Sequence, residues 1–526
     1  MVCNMGSTAG ALLLGLVLAT TRAGWAQQRS DAGAAARSPA VDASAAPPMG
    51  PVPAASGPVL TLGQGKVQGF LRKDVISFMG IPYAPPPVGD LRWKAPGKPP
   101  SWSGVRQAVA PGPICGRPDP HEDCLYLNVY TSAKFKPTDK RAIMVWIHGG
   151  SFVGGASHGG YGVLHDGFNL AEQGVVVVTI NYRLGRAGWF SDPAINAEPG
   201  LHNNYGMMDM LAAIQWAKDN ATKFGGDPNN ITIFGESAGG GSIYQLMRAP
   251  QSKGLVQKAI AESSFPRSNP VPLAAALAYG ESVERANGIA GSPAERTAAL
   301  RRLSLADLNK GQGPNPYPIE DDELIFDGHA VDAFKAGREL MVPFMVGGNS
   351  ADVLGGNFSA AAFDAMTDRK DSFIAAYDPN HALNKPLMMS QRQTDIGNTE
   401  PDYSLALAHA NNGQPTYLYF FDYLPAALRS NPSIYGAKHG AEIQYVFGTG
   451  EMDPDGAALS KQMTAYWASF AKTGDPRASG APAWPKMDAK DETAMVFTAD
   501  GAKPVLHFLK DRIEWVLAGI GASRRP

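Results

Sequence analysis

The chain has 526 residues, a formal net charge of −2, 18% charged residues, 59 glycines and 42 prolines. A charge so close to neutral leaves no footprint of a nucleic-acid partner or of attraction to an anionic membrane surface. The glycine and proline content suits a loop-rich globular enzyme better than a helical bundle or a disordered chain.

Residues 1–26 have the pattern of an export signal: an apolar run from Ala9 to Ala19, then small residues around Gly24 and Ala26, where cleavage is expected. The run is too short to span a bilayer. Residues 27–58 are dominated by Ala, Pro, Ser and Gly and cannot bury enough apolar surface to offset their ordering entropy, so they read as a flexible leader. A single domain is expected over 59–526.

Alternation in Val59–Leu62 and Gly65–Phe70 predicts an early antiparallel hairpin. The proline-rich run Phe78–Trp93 excludes helix and reads as an extended surface loop. Leu125, Leu127 and Val129 alternate as a half-buried strand, and Ala142–Ile147 and Val175–Asn181 are continuous apolar strands. Tyr205–Phe224 has helical apolar spacing, stopped by Gly225-Gly226-Asp227-Pro228. Strands follow at Ile231–Phe234, Gln257–Ser263, Val342–Gly347 and Thr416–Asp422, a mainly helical segment at about 270–340 reads as a cap insertion, and a final helix is expected over Ser460–Thr473. Strand, helix, strand in this order predicts an α/β architecture with a large, mostly parallel, doubly wound sheet.

Two glycine-rich stretches carry chemistry. Gly235-Glu236-Ser237-Ala238-Gly239 fits G-x-S-x-G between a strand and a helix, the context in which a sharp turn exposes a nucleophilic serine. Bulkier side chains at 235 and 239 would collide with neighbouring segments. His148-Gly149-Gly150, directly after an apolar strand, can turn backbone N–H groups into a cavity, as an anion-stabilising loop must. A serine hydroxyl needs a base within hydrogen-bond reach and a carboxylate to hold that base. Five histidines follow Ser237: His329, His381, His409, His439 and His507. His381 and His409 sit in helix-like stretches and His507 in a strand pattern, whereas His439 lies in a glycine-flanked loop. Once Cys3 is removed with the signal, Cys115 and Cys124 remain, nine apart, and a disulfide closing a short loop is favoured over a metal site. HExxH, CxxC and Walker-type loops are absent from the sequence, so no metal, nucleotide or other cofactor is expected.

Taken together, Gly80-Ile-Pro-Tyr-Ala, Glu122-Asp-Cys-Leu-Tyr-Leu-Asn-Val, His148-Gly-Gly, Asn181-Tyr-Arg, Phe224-Gly-Gly-Asp-Pro, Phe234-Gly-Glu-Ser-Ala-Gly-Gly, Gly440-Ala-Glu-Ile and Thr473-Gly-Asp-Pro resemble the type-B carboxylesterases of the α/β-hydrolase fold over about residues 59–515. The resemblance implies Ser237 as nucleophile, His439 as base, and the amides of Gly149, Gly150 and Ala238 as the oxyanion hole. The family's acid is typically Glu in an Asn-x-x-Glu-Gly block; here Asp352 falls at that position and Val353 replaces the following glycine. The acidic run Glu320–Glu323 is the alternative source of the acid. Glu236 is expected to be buried and hydrogen-bonded as a structural group. The family's cholinesterases carry a choline-stacking tryptophan in the disulfide loop; the loop here has none, so a quaternary ammonium site is not implied.

The expectation is therefore a secreted or periplasmic serine hydrolase acting on a small-molecule ester. A lipase, thioesterase, amidase or specialised toxin, pesticide or polyester esterase stands as the alternative, and a non-catalytic binding module as the remote one. Sequons occur at Asn220, Asn230 and Asn357.

Overall fold

In a computed structural model of the chain, the structure describes residues 51–523 apart from 161, 354–357 and 381–383. The chain divides into two units, Met1–Val41 and Asp42–Pro526, and everything described here belongs to the second. The expected signal sequence, most of the expected leader, His381 and Asn357 lie outside the described residues.

Eleven strands form one sheet: β1 Phe70–Arg72, β2 Val75–Pro82, β3 Tyr126–Ser132, β4 Arg141–Ile147, β5 Val176–Ile180, β6 Gly226–Glu236, β7 Lys258–Glu262, β8 Phe344–Asn349, β9 Thr416–Phe421, β10 Ala494–Thr498 and β11 Gly501–Val505. Their spatial order is β11-β10-β9-β8-β7-β6-β4-β5-β3-β2-β1. The run from β10 to β5 is parallel, while β1, β2 and β3 at one edge and β11 at the other pair antiparallel. This is the large, mostly parallel sheet of an α/β-hydrolase.

The apolar runs fill both faces because side chains alternate along a strand. In β4, Ile143, Val145 and Ile147 join Met207, Met210 and Ile214 of helix α1 (Tyr205–Asn220). On the other face, Met144 and Trp146 pack with Met463, Tyr466, Trp467 and Phe470 of a later helix, Pro454–Thr473. Among the described residues no helix is long and apolar enough to cross a membrane.

Four local readings need correction. Phe78–Pro82 is not surface loop: it ends the fully buried strand β2, paired on both sides. The proline is tolerated because it is the strand's last residue, and the register shift between Phe78 and Ile81 sets Gly80 at φ 68°, its N–H satisfied by Asn128 Oδ1 at 3.0 Å. Strand β3 is buried on both faces rather than half-buried, since layers cover it from both sides. The helix expected at Ser460 starts at Pro454, where Asp453 accepts from Gly456 N at 2.9 Å, and it is not the last: Lys510–Ser523 follows. His507 lies beyond the end of β11, at φ 50°. Cys115 and Cys124 form a disulfide, and the amide of Asn220 is occupied by Trp216 O at 3.0 Å.

Two buried imidazoles lie beside β4. His148 follows its last residue and stacks on Tyr182; His165 meets Trp146 and Phe447 at centroid distances of 5.2 and 5.7 Å. Burial pushes His148 down to about 4, and burial with the neighbouring His148 pushes His165 down to about 3. Both are neutral when folded, whereas in the unfolded chain they take up protons near pH 6.5. Their contribution is therefore present above pH 6.5 and is lost as pH falls toward 4 and 3. Compared with wild type, His165→Phe, which keeps the aromatic packing, should lose less unfolding free energy in urea titrations as pH falls from 6.5 to 4. A wild-type slope in the variant would place the acid sensitivity elsewhere.

Candidate active site

At the C-terminal end of β6 the chain reverses at Ser237, with φ 56° and ψ −118°, before helix α2 (Ala238–Arg248). A non-glycine residue there is strained, and the surroundings hold it in place. Ser237 N donates to Glu262 O at 2.9 Å, and Gly241 N donates to Ser237 O at 2.7 Å. The glycines are demanded by close approach. A Cβ on Gly235 would stand 2.5 Å from Ile147 O and one on Gly239 1.9 Å from the same atom, while one on Gly240 would stand 2.6 Å from Glu262 O. The turn at Ser237 is thus wedged between the ends of β4 and β7.

The other two side chains arrive on loops at the same edge of the sheet. Asp352 lies three residues past β8, and His439 lies between β9 and the short helix Ile443–Phe447. The two loops are bound to each other: Ala351 N donates to Ala437 O at 2.9 Å, Ala437 N to Ser350 Oγ at 2.9 Å, and Asn349 Nδ2 to Lys438 O at 2.9 Å. That lacing lets an aspartate, one methylene shorter than glutamate, reach the ring. His439 Nδ1 lies 2.5 Å from Asp352 Oδ1, and Nε2 lies 2.8 Å from Ser237 Oγ. Asn349 N donates to the second oxygen of Asp352 at 3.0 Å. Of the acidic run 320–323, Asp321 instead accepts from Asn204 Nδ2 at 2.6 Å and from the amides of Glu323, Leu324 and Ile325.

Gly149 and Gly150 open the loop after β4. Gly149 O faces His148 Nδ1 at 2.8 Å, and because a trans peptide sets C=O and N–H on opposite sides, Gly150 N–H points away from that ring. Gly150 O is likewise taken by Val153 N and Gly154 N at 3.0 Å, which turns the amide of Ser151 outward; that residue sits at φ 54°. Ala238 is the first residue of α2, so its amide belongs to the electropositive helix terminus.

A ring of buried acids surrounds the single imidazole. Burial alone would lower His439, but Glu236 and Asp352, with Glu442 behind, outweigh it and hold the ring above its ordinary value. Glu236 Oε1 is 3.2 Å from His439 Nε2, yet neither of its oxygens has a hydrogen-bond partner among the described residues. The expected hydrogen bond is absent because Nε2 is directed at Ser237. Burial drives Glu236 well up from its ordinary value, against the opposing pull of the His439 ring. Glu442 accepts from Ser263 Oγ at 3.0 Å and from Asn349 Nδ2 at 2.5 Å and is pushed up to about 7 by burial and then by Asp352. Asp402, fully buried with both oxygens unpartnered, is driven up by burial, then by Asp352 and Glu400. Glu442, Ser263 and Asp402 were not legible as site residues, because their approach depends on contacts across distant parts of the chain. Among the described residues no group of three or more His, Cys, Asp or Glu side chains could hold a metal.

Comparison with known proteins gives a consistent result. The profile of the carboxylesterase family matches residues 56–389 and 384–511. The fumonisin B1 esterase of Sphingopyxis macrogoltabida is 33% identical over 479 residues, covering 81% of this chain and 84% of that one. The para-nitrobenzyl esterase of Bacillus subtilis (strain 168) is 31% identical over 492 residues, covering 84% and 95%. A solved PNB esterase superimposes with a TM-score of 0.73 at 29% identity, covering 88% of this chain and all of the other. The Geobacillus stearothermophilus carboxylesterase EST55 superimposes with a TM-score of 0.72 at 28% identity, covering 87% and 99%.

Gly348, in β8, offers a test of the geometry. A Cβ there would stand 2.8 Å from Asp352 Oδ2 and 3.4 Å from Asp402 Oδ2. Gly348→Ala should push the Asp352 carboxyl off His439 and lower kcat/KM for an ester by ~10–100-fold while circular dichroism stays unchanged, since a misplacement of about 1 Å suffices for such losses. An unchanged kcat/KM would mean that the carboxyl need not lie where it does.

Proposed function

The chain belongs to the carboxylesterase family, and from that premise we propose that it hydrolyses carboxylic esters through an acyl-enzyme formed on Ser237, with His439 as base and Asp352 as the acid that orients it. The observation that carries this reading is the continuous chain of contacts, 2.8 Å from Ser237 Oγ to His439 Nε2 and 2.5 Å from Nδ1 to Asp352 Oδ1. An ionised carboxylate only accepts, so Nδ1 carries the ring hydrogen and Nε2 accepts from the serine hydroxyl.

As Oγ attacks the ester carbonyl, its proton passes to Nε2, and the imidazolium is stabilised by Asp352. The oxyanion takes hydrogen bonds from the amides of Gly149, Gly150 and Ala238, reinforced by the N-terminus of α2; losing one such donor costs ~10²–10³ in turnover. The tetrahedral intermediate collapses, Nε2–H protonates the departing alcohol, and the acyl group remains on Oγ. Water then gives a proton to Nε2 and attacks the acyl carbonyl. Collapse releases the carboxylic acid and returns the proton to Oγ. The ester and one water molecule balance the two halves.

The protein is read as exported. The apolar run 9–19 supports this, as does the Cys115–Cys124 disulfide, a bond that persists in oxidising compartments. Relatives named for para-nitrobenzyl and fumonisin B1 esters define a first substrate panel. Pocket walls around the site decide among esters. Phe152 of the glycine loop meets Trp189 and the cap residue Tyr317 at 4.9 and 5.1 Å, and Phe265 meets His439 at 5.5 Å between centroids.

Para-nitrophenyl acetate, butyrate and octanoate, with fumonisin B1, should be assayed with wild type and Ser237→Ala. We expect turnover of at least one ester, reduced at least ~10⁴-fold by the substitution. The acid limb of kcat/KM should lie above pH 6.5, because the neighbouring acids lift His439, and Asp352→Asn should move its midpoint down while lowering the rate. Full activity in Ser237→Ala would overturn the acyl-enzyme reading.

A further inference from the structure

Between the helices Lys385–Thr394 and Glu400–Asn411 the chain makes a π-helical turn, Asp395–Thr399. A π-turn inserts an extra residue and rotates everything after it, a local cost that proteins retain mostly where it aims a side chain at a functional site. Here the side chain it aims is Asn398, which is 1% exposed. Its Nδ2 donates to Asp352 O at 3.0 Å, and its Oδ1 accepts from Phe265 N at 3.2 Å. One amide therefore spans the loop after β8, which holds the acid, and the loop after β7, whose Phe265 ring faces His439 at 5.5 Å. Phe265 itself sits at φ 52°, a conformation that needs external support.

The turn is fixed from two sides. Asp395 takes a two-pronged pair from Arg512 of the C-terminal helix, both at 2.8 Å. Glu400 takes another from Arg267 at 2.7 and 2.5 Å, and Arg267 is two residues beyond Phe265. A Cβ added to Gly397 would lie 3.6 Å from the Phe265 ring, so this part of the turn also packs against that loop. An amide matters at 398 because a leucine isostere satisfies neither loop and a carboxylate cannot donate to Asp352 O.

We propose that Asn398 is a positioning residue of the hydrolytic site, a clamp that holds the backbone of Asp352 beside His439 and the Phe265 loop against the same ring. The inference rests on the reading of Asp352 and His439 given above.

Its test is a double-mutant cycle on the full chain with para-nitrophenyl butyrate, or another turned-over ester of the panel, combining Asn398→Leu with Asp352→Asn. Asn398→Leu should lower kcat by ~10–100-fold with KM within about threefold. The acid limb of kcat/KM should also move to lower pH. The groups that lift His439 are Glu236 at the end of β6, Asp352 after β8 and Glu442 beside the ring's own loop, and only Asp352 is released by this substitution. Asn398→Gln, which keeps the amide, should recover part of the rate. Added to Asp352→Asn, Asn398→Leu should cost less than about threefold more, because the carboxylate whose position it fixes is already gone. If Asn398→Leu does not fold, Asn398→Ala removes the same two hydrogen bonds with less change of shape. A folded variant with wild-type kcat, an unmoved acid limb, or a loss that multiplies with that of Asp352→Asn would each overturn the clamp. Undiminished activity in Asp352→Asn alone would instead overturn the reading on which it rests.

Discussion

The structure turns on the left-handed reversal at Ser237, where the parallel sheet hands over to α2. That conformation is unfavourable for a serine and persists because the chain is trapped between two neighbouring strands, with Ile147 O and Glu262 O within contact of its glycines. Loosening any of the three strands would let the turn relax and bury the hydroxyl. The large apolar core on both faces of the sheet is what prevents it: tight packing cannot yield locally without disturbing the strands alongside.

Around this turn the protein concentrates acids to an extent that water would never penalise but a protein interior does. Glu236, Glu262, Asp402 and Glu442 are all driven upward by burial, and the charges that remain are organised about one imidazole. Neutral acids cost less than buried carboxylates and still polarise their surroundings. Within this ring of acids, Asp352 is the partner of Nδ1, and Nε2 faces the serine. The arrangement is supported from outside by backbone lacing between the acid and histidine loops and by the π-turn that carries Asn398.

The same design separates chemistry from selection. The strands supply fixed ends on which reactive groups sit, whereas Tyr317 comes from the cap segment and meets the glycine loop through Phe152. Side chains on such connections can change with little effect on the sheet, and this is why relatives with different named substrates share the scaffold.

Much of this was legible in the amino-acid sequence alone. Continuous apolar runs at Ala142–Ile147 and Val175–Asn181 can only be buried strands, and the G-x-S-x-G between strand and helix locates the reversal, because glycine spacing reports where backbones must touch. Motif likeness then singled out His439 and Asp352. Phe78–Pro82 misled because its glycine and proline, with the prolines that follow, imitate a loop, while the strand β3 that pairs with it lies some fifty residues away in sequence. The orphaned carboxyl of Glu236, the Asp402 side chain and the Asn398 amide left no pattern at all. Each owes its role to a neighbour tens or hundreds of residues away, as Asn398 does to Asp352 and Phe265. Local chemistry and spacing determined the fold class and pointed to Ser237, His439 and Asp352; which polar atoms lose their water and which find a partner was decided only when the tertiary structure brought separate loops to one edge of the sheet, because desolvation is a property of the assembled surroundings and not of the residue.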